Sequence, residues 1–445
     1  MPHITTMQNI ETLINARWVI PVEPDGLTLD HHSIAVHGGK IVEVLPTKNT
    51  AKKYHATETI DLKTHAVIPG LVNAHTHAAM SLFRGLADDL PLMDWLNQHI
   101  WPAEAKWVSE AFVRDGTELA IAEMLKSGTT CFNDMYFFPD VTARVCHDAG
   151  MRACVGLIVL DFPSVWAQNA DEYLHKGLKL HDELRNSELI TTAFAPHAPY
   201  TVSDAPLEKI RMYADELDIP VHMHVHETAH EVNEGQKLHG MRPLARLAKL
   251  GLLGPRLIAV HMTQLEAAEI KTLAQDNVSV VHCPESNLKL ASGFCPVHAL
   301  VRAGVTVALG TDGAASNNSL DMLEEMHIAA LLAKGVSQDA TAIPARTALR
   351  MATLNGAKAL GLEARTGSLT AGKAADIAAI DLSAISSQPV YDPVSHIVYA
   401  TTRNQVSDVW VNGKHLLAKY HLTGMNEAKL RDKAIQWHDK IIRQD

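Results

Sequence analysis

AVIPGLVNAHTH, from Ala66 to His77, decides the fold of this chain. Its body is apolar, through Val67, Ile68, Leu71 and Val72, and its end carries two imidazoles one residue apart. In an extended strand, residues i and i+2 point to the same face. His75 and His77 can therefore aim at one point, as a metal site requires. Neutral imidazole is the commonest metal ligand and suits zinc, iron and nickel. In a chain holding 26 histidines such a pair also arises by chance, so the surrounding sequence must decide.

Seven further apolar, strand-like runs follow. They are TTCFNDM from Thr129, RACVGLIVL from Arg152, LITTAFAPHA from Leu189, PVHMHVHE from Pro220, RLIAVHMT from Arg256, VSVVHCPES from Val278 and VTVALGTDG from Val305. Helical patterns separate most of them. The clearest is SEAFVRDGTELAIAEMLKSG, with Ser109 as N-cap and Gly128 as C-cap. Eight βα units predict an α/β chain folded as a (β/α)8 TIM-type barrel. A doubly wound open sheet is the competing architecture. The barrel is preferred because polar residues close nearly every run, as at a single shared mouth.

Outside these units the style changes. TLINARWVIPV and SIAVHGGKIVEVLP near the start read as short strands broken by Asp25-Gly26 and Gly38-Gly39. DIAAIDL from Asp376, HIVYA from His396 and VSDVWVNGKHLLA from Val406 resume that pattern, with Asn412-Gly413 as a hairpin turn. A closing helix is expected near EAKLRDKAIQWHDKII. The expected organisation is a small β-sandwich domain built from both termini, residues 1–64 with 375–445, around a catalytic barrel over residues 65–374. No internal repeat at a solenoid period is present.

Composition narrows the function. At 445 residues and 47% hydrophobic content, the chain can bury a substantial core, and its mean hydropathy is near zero. A net charge of −11 argues against a nucleic-acid partner, whose phosphates attract a basic face. No apolar run reaches the ~18–20 residues of a membrane span. MPHITTMQNIETLINARW has neither the basic start nor the apolar stretch of a secretion leader. Five cysteines (Cys131, Cys146, Cys154, Cys283, Cys295), without a CxxC, fit reduced thiols in a cytoplasm better than disulfides or a cysteine metal site.

Chemistry gathers where the strands end. The first run gives His75 and His77, the fourth His197, and the fifth His222, His224, His226 and Glu227. The sixth gives His261, the seventh His282, Ser286 and Asn287, and the eighth Asp312. Histidines with an aspartate at the C-terminal ends of parallel strands are a strong metal signal. Spacing alone does not choose among His222, His224 and His226, which alternate onto one face. An aspartate after ALG also serves as a helix N-cap elsewhere.

At this point the chain resembles the amidohydrolase superfamily, in its single-metal aminohydrolase branch. The resemblance runs nearly end to end through PGLVNAHTH, His224 with Glu227, His261, SNLKLASG from Ser286, GTDGAASNNSLDM from Gly310 and GSLTAGKAADIAAID from Gly367. Within that branch it is most similar to the 5-methylthioadenosine/S-adenosylhomocysteine deaminases, through SLFRGLADDLPLMDWLNQHIWPAEAKW and APHAPYT.

The resemblance implies one divalent ion, zinc first and Fe2+ second, on His75, His77, His224 and Asp312. Relatives with two metals often carry a bridging lysine after the fourth strand, and TTAFAPHAPYT has none. It implies hydrolytic deamination of 6-aminopurine nucleosides, with Glu227, His261 and Asp312 as the catalytic groups. A bound ion would lower the pKa of a water from ~15.7 toward ~7. Glu227 would protonate the ring nitrogen beside the attacked carbon, Asp312 would accept the proton of the water, and His261 would steady the tetrahedral centre. Glu104 matches a carboxylate that takes both ribose hydroxyls, and His197 a contact on the purine side; Glu227 and Asp312 also touch substrate. Leu92, Met93 and Trp95 are candidates to line the pocket. Many relatives carry an arginine late in the third strand for the amino-acid tail of S-adenosylhomocysteine, whereas here only Arg152, at its beginning, is present. The partner is a small nucleoside, and a homodimer or larger homo-oligomer is the assembly the resemblance implies.

Two rivals stand beside this reading. A guanine, cytosine or s-triazine aminohydrolase or chlorohydrolase would keep the same ligands and differ in pocket residues, so free bases assayed against nucleosides separate them. A catalytically dead binding protein on this fold would have lost ligands, and none is missing here.

Overall fold

The structure, a computed structural model, describes residues 7–443. The first six residues, part of the N-terminal stretch read above, lie outside the described residues. Eight parallel strands follow one another in strict chain order: Leu71–Thr76, Thr129–Asp134, Arg152–Val159, Ile190–Pro196, Val221–Val225, Leu257–His261, Ser279–His282 and Thr306–Leu309. Nearly every residue in them is buried. Parallel strands covered on both faces must be so. The ends of this sheet meet through side chain and loop. Asn73 accepts from the Thr311 amide at 3.0 Å and donates to its hydroxyl at 2.7 Å, and the Asp312 amide donates to His75 O at 3.0 Å. The result is a nearly closed (β/α)8 barrel.

A second, mixed sheet of eight strands draws on both termini. Its central strands are Gln8–Val19 and Tyr54–Pro69, paired in parallel, and Ile377–Asp381 runs antiparallel against the end of the latter. Apolar residues alternate onto both of its faces, Leu13 and Ala35 on one, Ile14 and Ile34 on the other. Two hairpin turns, Gly38-Gly39 and Asn412-Gly413, hold all four residues at positive φ. They pack so closely that a Cβ on Gly413 would sit 2.8 Å from the Gly39 Cα.

Two readings change. AVIPGLVNAHTH is not one strand. Ala66 to Pro69 finish the long strand of the mixed sheet, and Leu71 opens the barrel. Gly70 makes the transfer, because any Cβ there would collide with the Thr130 side chain at 2.1 Å. HIVYA, expected as strand, lies in a helix, Pro393–Tyr399. Asp392 caps it by accepting from the Val394 amide at 3.0 Å, Pro393 supplies its first turn, and Val394, Ile397 and Val398 form its buried stripe. Capping and a 3.6-residue period outweigh the β-branched composition of those five residues.

The helix Glu110–Lys126 begins as expected, with Ser109 Oγ accepting from the Phe112 amide at 3.3 Å. It stops at Ser127, with Gly128 following at φ +87°. Where it crosses the turn Ala78–Phe83, Gly116 lies so near that a Cβ would be 2.4 Å from Ala79 O. Barrel and mixed sheet are tied by a buried, two-pronged ion pair. Arg152 Nε and Nη2 lie 2.7 and 3.2 Å from the Asp376 carboxylate, whose Oδ1 also accepts from the Asn412 amide at 2.7 Å.

Candidate metal centre

His75 sits in the first barrel strand and His77 just beyond it, and the i, i+2 spacing turns both rings inward as the sequence predicts. His75 Nε2 and His77 Nε2 lie 3.0 and 3.1 Å from Asp312 Oδ1. His224, from the fifth strand, brings its Nε2 to 3.1 Å from His75 Nε2. Three imidazole nitrogens and one carboxylate oxygen thus crowd a single point. His261 borders it: donor atoms of His75, His224, His261 and Asp312 all fall within 4.8 Å of one another.

The three neighbouring histidines of the fifth strand separate cleanly. His224 alone offers its Nε2 to the cluster. His222 Nε2 lies 2.8 Å from the far nitrogen of His75, its Nδ1. His226, at φ +53°, turns away and accepts from the Leu244 amide at 3.1 Å. The far nitrogens of the other two rings meet backbone carbonyls: His77 Nδ1 is 2.6 Å from Met135 O, and His224 Nδ1 is 2.8 Å from His197 O.

Asp312 lies three residues past the end of the eighth strand, at φ +62°. Its Oδ2 accepts from the hydroxyls of Ser286 at 2.6 Å and Ser316 at 2.9 Å. His261, at φ +73°, directs Nδ1 to Asn287 Oδ1 at 2.8 Å and Nε2 toward Glu227 Oε2 at 3.8 Å. Left-handed, non-glycine residues are costly, and they cluster where function fixes a side chain.

Electrostatics follow the packing. Burial works to raise Asp312, but the bonds from His75 and His77 outweigh it and hold the carboxyl well below its usual range. Burial lowers His75 to about 4, while at His77 the contacts to Asp312 overcome burial and raise the ring to about 9. Glu227 is raised by burial, with His261 opposing. Burial also takes Glu104 up to about 7, against the pull of Tyr136 and His77, and His197 down to about 3.

A cavity of about 490 Å³ opens above the cluster. His77, His197, His224, Glu227, His261 and Asp312 form its polar floor, and Glu104 and Tyr136 stand on its wall. Leu92 and Trp95 line it but Met93 does not; Ile158, Leu160, Phe162 and Val165 carry the apolar lining outward. Among the described residues no arginine or lysine faces it. Arg152 is at the opposite end of its strand, buried against Asp376.

Sequence reasoning missed Ser316, which holds Asp312, and Glu231, whose carboxylate accepts from the His226 and Glu227 amides at 2.9 and 2.7 Å. Glu231 had a local signal: an acidic residue in the first turn of the helix Ala229–His239, just after a strand end rich in chemistry.

Comparisons with known proteins find relatives over nearly the whole chain. The sequence model of the amidohydrolase family matches residues 66–416. A protein of Saccharophagus degradans, named 5-methylthioadenosine/S-adenosylhomocysteine deaminase, is 51% identical over 441 residues, 99% of each chain. The crystal structure of an adenosine deaminase from Xanthomonas campestris with bound zinc is 55% identical, covers 98% of this chain and 100% of its own, and superposes with a TM-score of 0.97. An atrazine chlorohydrolase from Arthrobacter aurescens, complexed with zinc, is 24% identical over 96% of this chain and 99% of its own, with a TM-score of 0.89. At that distance it shares the fold alone.

Proposed function

The chain belongs to the amidohydrolase family, and from that premise we propose that it removes the 6-amino group of purine nucleosides by hydrolysis. Water and the aminopurine give the 6-oxopurine nucleoside and ammonia. 5-Methylthioadenosine and S-adenosylhomocysteine are the leading substrates, in keeping with the name of the 51% identical relative. The observation that carries this reading is the convergence of three imidazoles and Asp312 beneath a cavity that also holds Glu227 and Glu104.

The donor set fits one divalent ion. Nitrogen donors with a single carboxylate suit zinc, and iron is second. His75, His77, His224 and Asp312 would hold it. Such an ion supplies a water acidified from ~15.7 toward ~7. The remaining steps belong to side chains. Asp312 takes up a proton from the water on the carboxylate that Ser286 and Ser316 keep oriented and delivers it to the departing amine, which leaves as ammonia. Glu227, raised by burial, carries a proton at neutral pH more readily than an exposed glutamate and passes it to the ring nitrogen beside the attacked carbon. His261, fixed by Asn287, hydrogen-bonds the tetrahedral centre. Glu104 accepts the ribose hydroxyls, and His197, neutral because burial lowers it, meets the purine. The catalytic part is assigned to residues 65–374, with 1–64 and 375–445 as support.

The outer cavity favours a small, uncharged 5′ substituent. Its lining at Leu160, Phe162 and Val165 is apolar, and no arginine or lysine faces the cavity among the described residues. The zwitterionic tail of S-adenosylhomocysteine therefore meets less complementary charge than a methylthio group does. The test is ammonia release from methylthioadenosine, S-adenosylhomocysteine, adenosine, adenine and guanine, joined to metal analysis. Expected are one tightly held ion per chain and kcat/KM higher for the nucleosides than for the free bases. A preference for a free base, or two tight ions, overturns the reading; a strong preference for S-adenosylhomocysteine overturns only the ranking.

A further inference from the structure

The rings of the donor cluster are held from behind in two different ways. A histidine that binds through Nε2 must carry its proton on Nδ1, and the partner of that N–H sets both tautomer and ring angle. For His77 and His224 the partners are the carbonyls of Met135 and His197. A carbonyl only accepts, so in their neutral form these two rings are locked with Nε2 free. His75 has no carbonyl behind it. Its Nδ1 faces the Nε2 of His222 at 2.8 Å, a nitrogen that can either donate or accept. Both rings are fully buried, with relative exposure of 0%, so water does not mediate the choice.

One proton is shared across that contact, and its placement decides whether His75 can be a ligand. With the proton on His75 Nδ1, the Nε2 lone pair points at Asp312 and His224. With it on His222 Nε2, neutral His75 keeps its own proton on Nε2 and is lost to the cluster. The first arrangement puts the remaining proton of His222 on Nδ1, a buried nitrogen with no hydrogen-bond partner among the described residues. An unmet buried N–H is destabilising.

We propose that His222 is a positioning residue of the metal centre: it accepts the Nδ1 proton of His75 and thereby holds that ring in its ligating tautomer. The inference rests on the reading of His75, His77, His224 and Asp312 as one metal site. Of the three rings, His75 is the one whose orientation depends on another side chain, so a point substitution can release it.

The experiment is zinc affinity by chelator competition on the full chain, for wild type, His222→Leu and His222→Gln, with the melting temperature of each metal-stripped protein as the check on folding. Outer partners of metal-bound histidines are typically worth 10–100-fold in affinity. His222→Leu is expected to bind zinc that much more weakly while the stripped protein still melts cooperatively. His222→Gln, whose side-chain carbonyl can accept in place of Nε2, is expected to recover most of the loss. Equal affinity for wild type and His222→Leu overturns the proposal, as does a His222→Gln variant that folds but binds no better than His222→Leu. Should the leucine variant not fold, nitrogen-15 histidine spectra of zinc-loaded wild type decide: protons on Nδ1 of both His75 and His222 support the proposal, and a proton on His222 Nε2 overturns it. A wild-type chain that takes up no zinc overturns the metal centre itself, and this inference with it.

Discussion

Glu231 carries the strained turn that presents Glu227. Its two oxygens gather the amides of His226 and Glu227, so the left-handed His226 is held by a side chain outside the cavity lining. Burial raises this carboxyl to about 8, against the pull of those amides. A carboxyl whose folded pKa exceeds its unfolded value near 4.5 contributes stability below that value and loses it as pH rises through 8. The stability advantage of wild type over Glu231→Gln should therefore shrink from about pH 4.5 to 8, by at most about 1.4 kcal/mol per pH unit. Urea melts of both proteins at pH 5 and pH 8 measure it; an advantage that grows with pH contradicts the assignment. Glu227→Gln should keep metal and fold but lose ~10²–10⁴-fold in kcat, the usual worth of general acid–base catalysis; near-normal turnover removes Glu227 from the chemistry. Glu104→Ala should erode the preference for ribose over 2′-deoxyribose, since a carboxylate shared by two hydroxyls is only partly paired by one. Uniform slowing of both substrates, read as kcat/KM, would count against a ribose contact. Residues of this kind were legible when the chain order carried them. His75 and His77 followed from strand alternation, whereas Ser316 and Glu231 reach Asp312, His226 and Glu227, only four or five residues away, through turns that neither strand alternation nor helix period signals.

Elements were read well where local and tertiary signals agree. Ser109 and Gly128 frame the helix Glu110–Lys126 because a cap and a left-handed glycine are local chemistry. They were read badly where two signals compete, as in HIVYA, whose composition favours a strand but whose Asp392-Pro393 entry and apolar spacing build a helix. Gly116 gives a similar conflict a testable form. Glycine to alanine inside a helix ordinarily gains about 1 kcal/mol. Here the new methyl would stand 2.4 Å from the Ala79 carbonyl, which is backbone and cannot swing aside. Overpacking costs of about 1–3 kcal/mol apply, so Gly116→Ala should destabilise the protein. Because the turn Ala78–Phe83 also brings Met80 to the cavity wall, KM should rise as well. A higher midpoint in urea would show that the helix shifts freely on this turn.

At the level of the whole molecule, the barrel was legible because nearly all of eight apolar runs end in polar residues. The point of exchange between barrel and mixed sheet was not, since Val67, Ile68, Leu71 and Val72 are equally apolar on either side of Gly70. What joins the two bodies is also invisible in sequence: Arg152 and Asp376 meet with 3% and 0% of their side chains exposed. Removing one partner of a buried pair typically costs about 3–5 kcal/mol. Asp376→Ala should lower the unfolding free energy by that order, with loss of metal only on global unfolding; a change under 1 kcal/mol would deny the pair its role as a joint. The long strand Tyr54–Pro69 has a further consequence in time. Its antiparallel partner, Ile377–Asp381, pairs Ala379 with Val67 across roughly three hundred residues of chain. At a synthesis rate of ~5–20 residues per second, the ribosome makes that partner some 15–60 s after the strand itself has emerged. Through that interval the apolar edge from Ala66 to Ile68 has backbone amides and carbonyls to offer and no strand of its own to receive them. A nascent chain of this design is therefore most vulnerable to aggregation at the seam it finishes last, and its yield in a cell should depend on what shelters that edge.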